Sequence, residues 1–194
     1  MIAVRSNRVS MNTERTQIST AAPFELGDVK AHCRVMFDDD DWQIAQMADA
    51  AAREIEAHCG LALLAQRITV TLGSWCCRIP LPIGPIWTEG LTDHPLTVEL
   101  IDEAGNVTPH PAGWWIEGDR YPVISLTSMG QGQHLRISYP AGYGTDHASI
   151  PADLQLAIND QAAAFYDQRG DTEGPQGLTN AAARIAARHR RVAV

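Results

Sequence analysis

Residues 38–72 read DDDDWQIAQMADAAAREIEAHCGLALLAQRITVTL, and two periodicities meet inside this stretch. In its first part Ile44, Met47, Ala48, Ala51 and Ile55 recur at i, i+3, i+4, i+7 and i+11, the stripe of an amphipathic helix. One of Asp38 to Asp41 is expected to cap that helix by accepting a bond from an orphan backbone N–H, with the others near the positive end of its dipole. Gly60 supplies the stop, because glycine tolerates the left-handed backbone beyond a helix end. From Gln66 the spacing changes from 3.6 to 2. RITVTL alternates β-branched and polar residues, a strand with one covered face. A helix followed by a strand of this kind makes the chain α+β.

Toward the N-terminus, FELGDVKAHCRV gives a short helix over about 26–34, with Leu26, Val29 and Cys33 on one side. Residues 1–22 are polar, lack periodicity and read as a flexible arm. Toward the C-terminus, CRIPLPIGPIW carries Pro80, Pro82 and Pro85 and reads as an edge strand or extended crossing segment. LTVELID and VTP, joined by EAGN, read as a hairpin. WWIEGDRYPVISL and HLRISYPAGYG give further strands, so residues 66–140 form an antiparallel β insert. Helical spacing returns over about 151–169, where Leu154, Ile158, Ala162 and Phe165 share a face and Pro151 fits the first turn. Residues 171–177, DTEGPQG, form a linker. Residues 178–194, LTNAAARIAARHRRVAV, form a last helix with Leu178, Ala182, Ile185 and Val192 along one side. The expected architecture is a small helical bundle (26–34, 40–59, 151–169) with a β insert and a C-terminal helical arm.

The chain has 194 residues, 45% of them hydrophobic and 20% charged, a globular composition. No apolar run approaches the roughly 20 residues of a membrane span. The N-terminal arginines have no apolar stretch behind them, so no secretory signal is expected. The formal charge is −8 and unevenly placed. Residues 1–20 are net +2 and residues 178–194 net +4, while 21–177 hold eight bases and 22 acids, net −14. Such a body repels polyanions and is a poor wrapper for DNA, which needs a basic face.

A search for chemistry finds no catalytic motif. There is no phosphate loop, nucleophile elbow, HExxH or CxxC. The pairs His32-Cys33 and His58-Cys59 lack the ligand spacing of zinc sites, and neighbours on a helix point about 100° apart. Cys76 and Cys77 are expected on opposite faces of a strand. The four-aspartate run lacks the spacing of a calcium loop. Asp146, His147 and Ser149 are too crowded in sequence for triad geometry. The pairs Glu99/Asp102 and Glu117/Asp119 read as solvated hairpin acids. No cofactor, metal or enzymatic activity is expected.

Four strings, in this order and spacing, resemble the head–tail connector, or adaptor, family of long-tailed bacteriophages and phage-derived gene transfer agents. They are VKAHCRV (29–35), DDDDWQIAQMADAAAREIEAHCGLAL (38–63), ISYPAGYG (137–144) and IPADLQLAINDQAAAFYDQRG (150–170). The resemblance covers about residues 26–169, making 23–170 an adaptor domain. It implies a structural virion protein that forms a ring, typically of twelve copies, under the capsid portal. Such a ring extends the DNA channel, lets double-stranded DNA pass without specific binding, and links the head to a stopper or tail-terminator component. It implies residence in the neck of a particle assembled in the bacterial cytoplasm. It also implies that a C-terminal segment grips the portal protein, which makes Arg184, Ile185, Arg188, Arg190, Arg191 and Val192 the candidate portal contacts. The basic N-terminal arm is outside the family pattern.

The tail sets the rival reading. Its arginines could instead neutralise phosphates, making the chain a DNA-binding regulator or packaging accessory. About 17 residues is a marginal length for a lone helix, so this helix is expected to fold fully only against a partner. Burying Leu178, Ile185 and Val192 there contributes roughly 1.5–3 kcal/mol each before ordering costs. Deleting residues 178–194 is expected to remove docking and leave the fold intact.

Overall fold

The computed structural model describes residues 11–169 and 177–190. It divides the chain into two compact units. One is helical and comprises Gln17–Ala65 and Ala141–Val194; the other is a β unit comprising Met1–Thr16 and Gln66–Pro140. The β insert therefore begins where the periodicity changes. No helix among the described residues is long and apolar enough to cross a membrane.

The helical unit contains α1 (Leu26–Cys33), α2 (Asp41–Cys59), α3 (Ala152–Asp167) and α4 (Asn180–His189). Helix α2 buries Ile44, Ala48, Ala51, Ala52, Ile55 and Cys59. Helix α3 answers with Leu154, Ala157, Ile158, Gln161 and Ala162. The many alanines let the backbones approach closely. Gly60 ends α2 at φ 66°, its N–H donating to Glu56 O. Helix α1 ends at Arg34, a non-glycine residue in the left-handed region (φ 58°).

The aspartate run does not cap as expected. Asp40 occupies the N-cap position of α2 without a side-chain cap bond. Its carboxylate instead accepts from the Tyr166 hydroxyl (2.6 Å) and Arg169 Nη1 (3.3 Å). Asp38 and Asp41 share the single ammonium of Lys30, at 2.6 and 2.5 Å. Long-range partners have outcompeted local amides, and the run ties α1, α2 and α3 together.

The β unit holds a five-stranded sheet, in the order β1-β2-β8-β4-β5, and a three-stranded sheet, β3-β7-β6. Their ranges are β1 (Met11–Gln17), β2 (Gln66–Leu72), β3 (Arg78–Pro80), β4 (Thr97–Ile101), β5 (Val107–Pro109), β6 (Trp114–Glu117), β7 (Val123–Leu126) and β8 (His134–Ala141). The expected hairpins are β4–β5 and β6–β7, both antiparallel. Strand β3, with Pro80, lies at a sheet edge as expected. Ile68, Val70 and Leu72 of β2 and Leu135, Ile137 and Tyr139 of β8 supply the core. The Tyr139 hydroxyl donates to Ile83 O (2.9 Å) and accepts from Ile83 N (3.3 Å), satisfying a buried polar group.

Two expectations are corrected. The N-terminal segment is not a flexible arm throughout: residues 11–17 are strand β1, beside β2. Ile18 N and Ser19 N then donate to Ala65 O, and Ser19 Oγ to Thr145 O. Residues 1–10 lie outside the described residues. Strand β1 pairs through its backbone while nearly all its side chains stay exposed, so it carries no apolar alternation. Cys76 and Cys77 are not in a strand. They lie exposed in the β2–β3 connection, where Cys76 Sγ donates to Arg78 O.

Candidate functional site

The residues expected to dock a partner belong to α4 and the chain just beyond it. Helix α4 is held at both ends. At its start Thr179 is the N-cap, its hydroxyl oxygen accepting from Ala182 N (3.1 Å). The same hydroxyl donates to Asp160 Oδ2, and Thr179 N donates to Gln161 Oε1 (2.8 Å). The Gln161 carboxamide, almost fully buried, also donates to Glu54 Oε2 (3.1 Å) and Gly177 O (3.4 Å). At the other end His189 is 8% exposed and its Nε2 lies 2.8 Å from Asp153 Oδ2. Residues 179 and 189 thus meet residues 160 and 153, so α4 runs antiparallel to α3.

Between the clamps the contact is small and apolar. Ala182 and Ala186 are fully buried, and Leu178 and Ile185 pack partly against the same core. Buried Cys59 donates its thiol to Ala186 O at 3.5 Å. Burial acts to raise the pKa of Asp153, but the hydrogen bond and charge of His189 and the amides of its own helix start outweigh it. The carboxyl is held below its ordinary range. The helix therefore folds against α2 and α3 of its own chain, which corrects the expectation that it needs a partner to fold. Removing residues 178–194 would strip Ala182 and Ala186 from the core and uncover Cys59, so the deletion is not neutral to the fold.

The candidate residues divide on this frame. Arg184, Arg188 and Arg190 are exposed, and Ile185 is half-buried against the core rather than free to face a partner. Arg191 and Val192 lie outside the described residues, as does most of the 171–177 linker. Arg184 and Arg188 fall one turn apart, so their positive charges leave α4 together on its solvent side.

A second surface escaped the sequence reading. Trp42, Gln43, Gln46 and Met47, with Ala50 and Phe165, line an open apolar groove of about 520 Å³ on α2 and α3. Trp42 is 71% exposed, and Met36 and Phe37 just before it are exposed as well. Large apolar side chains in an otherwise polar segment were the available signal.

Groups weighed for chemistry serve structure. Glu99 pairs with Arg136 across β4 and β8 (2.8 Å). Asp102 accepts from Ala104 N and Asn106 N in the β4–β5 turn. Glu117 accepts from Arg78, Trp115 and Ser125. Asp146 accepts from Ser149 N and Oγ, while His147 lies 3.8 Å from Glu25. His32 lies 3.7 Å from Asp160, and burial first, with Asp167 adding to it, raises the Cys33 thiol. No group of three or more His, Cys, Asp or Glu able to hold a metal occurs among the described residues.

No protein-family model matches the chain, and no curated protein does. Solved structures do. A chain from the virion of a native gene transfer agent particle is 25% identical, with a TM-score of 0.75, covering 94% of this chain and 96% of its own. One from the neck of a native gene transfer agent particle, computed with C12 symmetry, is 25% identical with a TM-score of 0.70, covering 94% and 97%. Another, from the neck of an empty particle computed with C6 symmetry, is 24% identical with a TM-score of 0.76, covering 94% and 97%. The resemblance read from the sequence over about residues 26–169 is borne out by these neck and virion chains, and the structural match extends over 94% of the chain.

Proposed function

We propose that this chain is a structural component of the neck of a phage-derived particle of the gene transfer agent type, and within it the adaptor. In this reading copies close into a ring under the portal, twelve in number, extend the DNA channel and link the head to the next neck or tail component. The observation that carries it is the match to neck and virion chains at 25% identity over 94% of this chain. Reconstruction of one of those necks with C12 symmetry supports repeated copies.

Charge fits the role. A duct must not hold its cargo, and residues 21–177 are net −14. Exposed acids repel phosphates over about a Debye length, roughly 8 Å at physiological salt. Docking to the portal is assigned to the solvent side of α4, through Arg184, Arg188 and Arg190, continued by Arg191 and Val192, with Ile185 holding the helix down. Clamping at both ends presents Arg184 and Arg188 on a helix already folded, with Arg190 directly after its last turn, which lowers the ordering cost of binding.

The test uses charge reversal rather than truncation, because truncation opens the core. Full-length protein carrying Arg184→Glu, Arg188→Glu and Arg190→Glu is mixed with particles or portals lacking the adaptor. Loss of attachment with α4 still folded, read by circular dichroism, is expected. Normal attachment would remove α4 from the interface. DNA retention by the wild type at physiological salt would instead favour the regulator reading.

A further inference from the structure

We propose that neighbouring copies in the ring contact one another by seating strand β6 of one copy in the Trp42 groove of the next. The inference rests on the ring reading above and adds the surfaces that close it.

Strand β6 is the edge of its three-stranded sheet. Side chains alternate across a strand, so Trp114 and Trp115 point to opposite faces. They are 38% and 50% exposed, which leaves both faces of the strand and one edge accessible. An open edge carrying two indoles is an association site unless something covers it. The groove beside Trp42 has the complementary character. Its lining combines apolar Met47, Ala50 and Phe165 with the carboxamides of Gln43 and Gln46. The Gln46 carboxamide supplies a donor and an acceptor for the backbone of an edge strand. Gln43 Oε1 already accepts from Arg169 Nη1 (3.2 Å) and Trp115 Nε1 already donates to Glu117 Oε1 (3.1 Å), so the indoles enter the groove as apolar surface.

A second copy is the occupant for three reasons. A rotational ring needs a heterologous contact, one patch meeting a different patch on the next copy. These two patches are different, lie on different units, and are separate from the arginines of α4. Charge also selects among this chain's own surfaces. Four aspartates (38–41) precede Trp42, with Lys30 and Arg169 as their described ion-pair partners, so the rim is net negative. Nucleic acid and the chain's acidic surfaces are repelled there. The β6–β7 hairpin, with Arg78 of β3 beside it, is neutral: Arg78 and Arg120 offset Glu117 and Asp119. It enters without that repulsion. Aromatic anchors in apolar pockets are also the usual centres of binding energy.

The experiment places benzoylphenylalanine at position 42 of the full-length chain, assembles it into particles, irradiates, and maps adducts after tryptic digestion. The expected product is a covalent dimer joined to peptide 79–120, which contains Trp114 and Trp115. Rings that yield adducts to another peptide, to another neck protein, or none would overturn the surface assignment while leaving the ring intact. Particles in which the wild-type chain itself closes no ring would instead overturn the ring reading, and this proposal with it. In the uncrosslinked background, Trp42→Ala and Trp115→Ala each weaken ring assembly by roughly tenfold or more. Leu156→Ala, an exposed residue outside both patches, leaves it unchanged.

Discussion

His189 on α4 and Asp153 on α3 face each other across 2.8 Å, thirty-six residues apart in sequence, and close the far end of the docking helix onto the bundle. The near end is closed by Thr179 on Asp160. Between them lie Ala182, Ala186 and the half-buried Ile185, so the polar clamps share with this short apolar contact the task of keeping α4 down.

Breaking the far clamp with His189→Ala is expected to free the end of α4. A charge-assisted hydrogen bond to a partly buried carboxylate is worth about 1.5–3 kcal/mol. Asp153 is partly open to solvent, so the lower end applies, a melting shift of about 2–6 °C at this chain length. Peptide-level thiol labelling checks it: Cys59, covered by Ala186, becomes reactive in the variant and stays protected in the wild type.

Acid should loosen the same contact. Because the folded Asp153 carboxyl is held below its ordinary value, the stability it contributes is fully present above the unfolded pKa. That contribution is lost as pH falls through the lower folded value. Hydrogen exchange in α4 should therefore rise as the solution is taken below about pH 4. In Asp153→Asn the α4 amides should exchange faster at neutral pH and lose most of that acid-dependent step. An unchanged step would assign it to another carboxylate.

Enlarging the contact tests its packing. Ala186→Leu inserts methylenes where the side chain is fully buried in the helical core, with an expected cost of about 1–3 kcal/mol. Ala181→Leu, on the exposed side of α4, should cost less than about 0.5 kcal/mol. Chemical denaturation of the two variants makes the comparison.

Duplex DNA should not be retained by the wild-type protein at physiological salt. A gel-shift titration checks this. Tight binding whose logarithm falls with log salt at about −0.9 per phosphate contact would contradict the acidic-duct account.

The fold was largely legible because its elements carry strong periodicity. Ile44, Ala48, Ala51 and Ile55 announce α2, and Ile68, Val70 and Leu72 announce β2 and the start of the insert. Strand β1 was not legible, since MNTERTQ pairs by backbone alone and buries almost nothing. The fate of Asp38 to Asp41 depended on Lys30, Tyr166 and Arg169, whose approach is tertiary. The arginines of α4 were visible as a charge pattern. Its attachment was not, because alanines give a weak stripe and His189 reads as polar until Asp153 is brought beside it. The exposed Trp42 was hidden for the opposite reason: on a helix start it looks like core.

A side-chain-resolution reconstruction of the assembled particle that contains this chain is the decisive measurement. The account predicts a closed ring of copies against the portal, with Arg184, Arg188 and Arg190 on portal side chains and acidic residues toward the bore. A reconstruction in which those arginines face open solvent or line the bore, or in which the chain lies outside the neck, would contradict it.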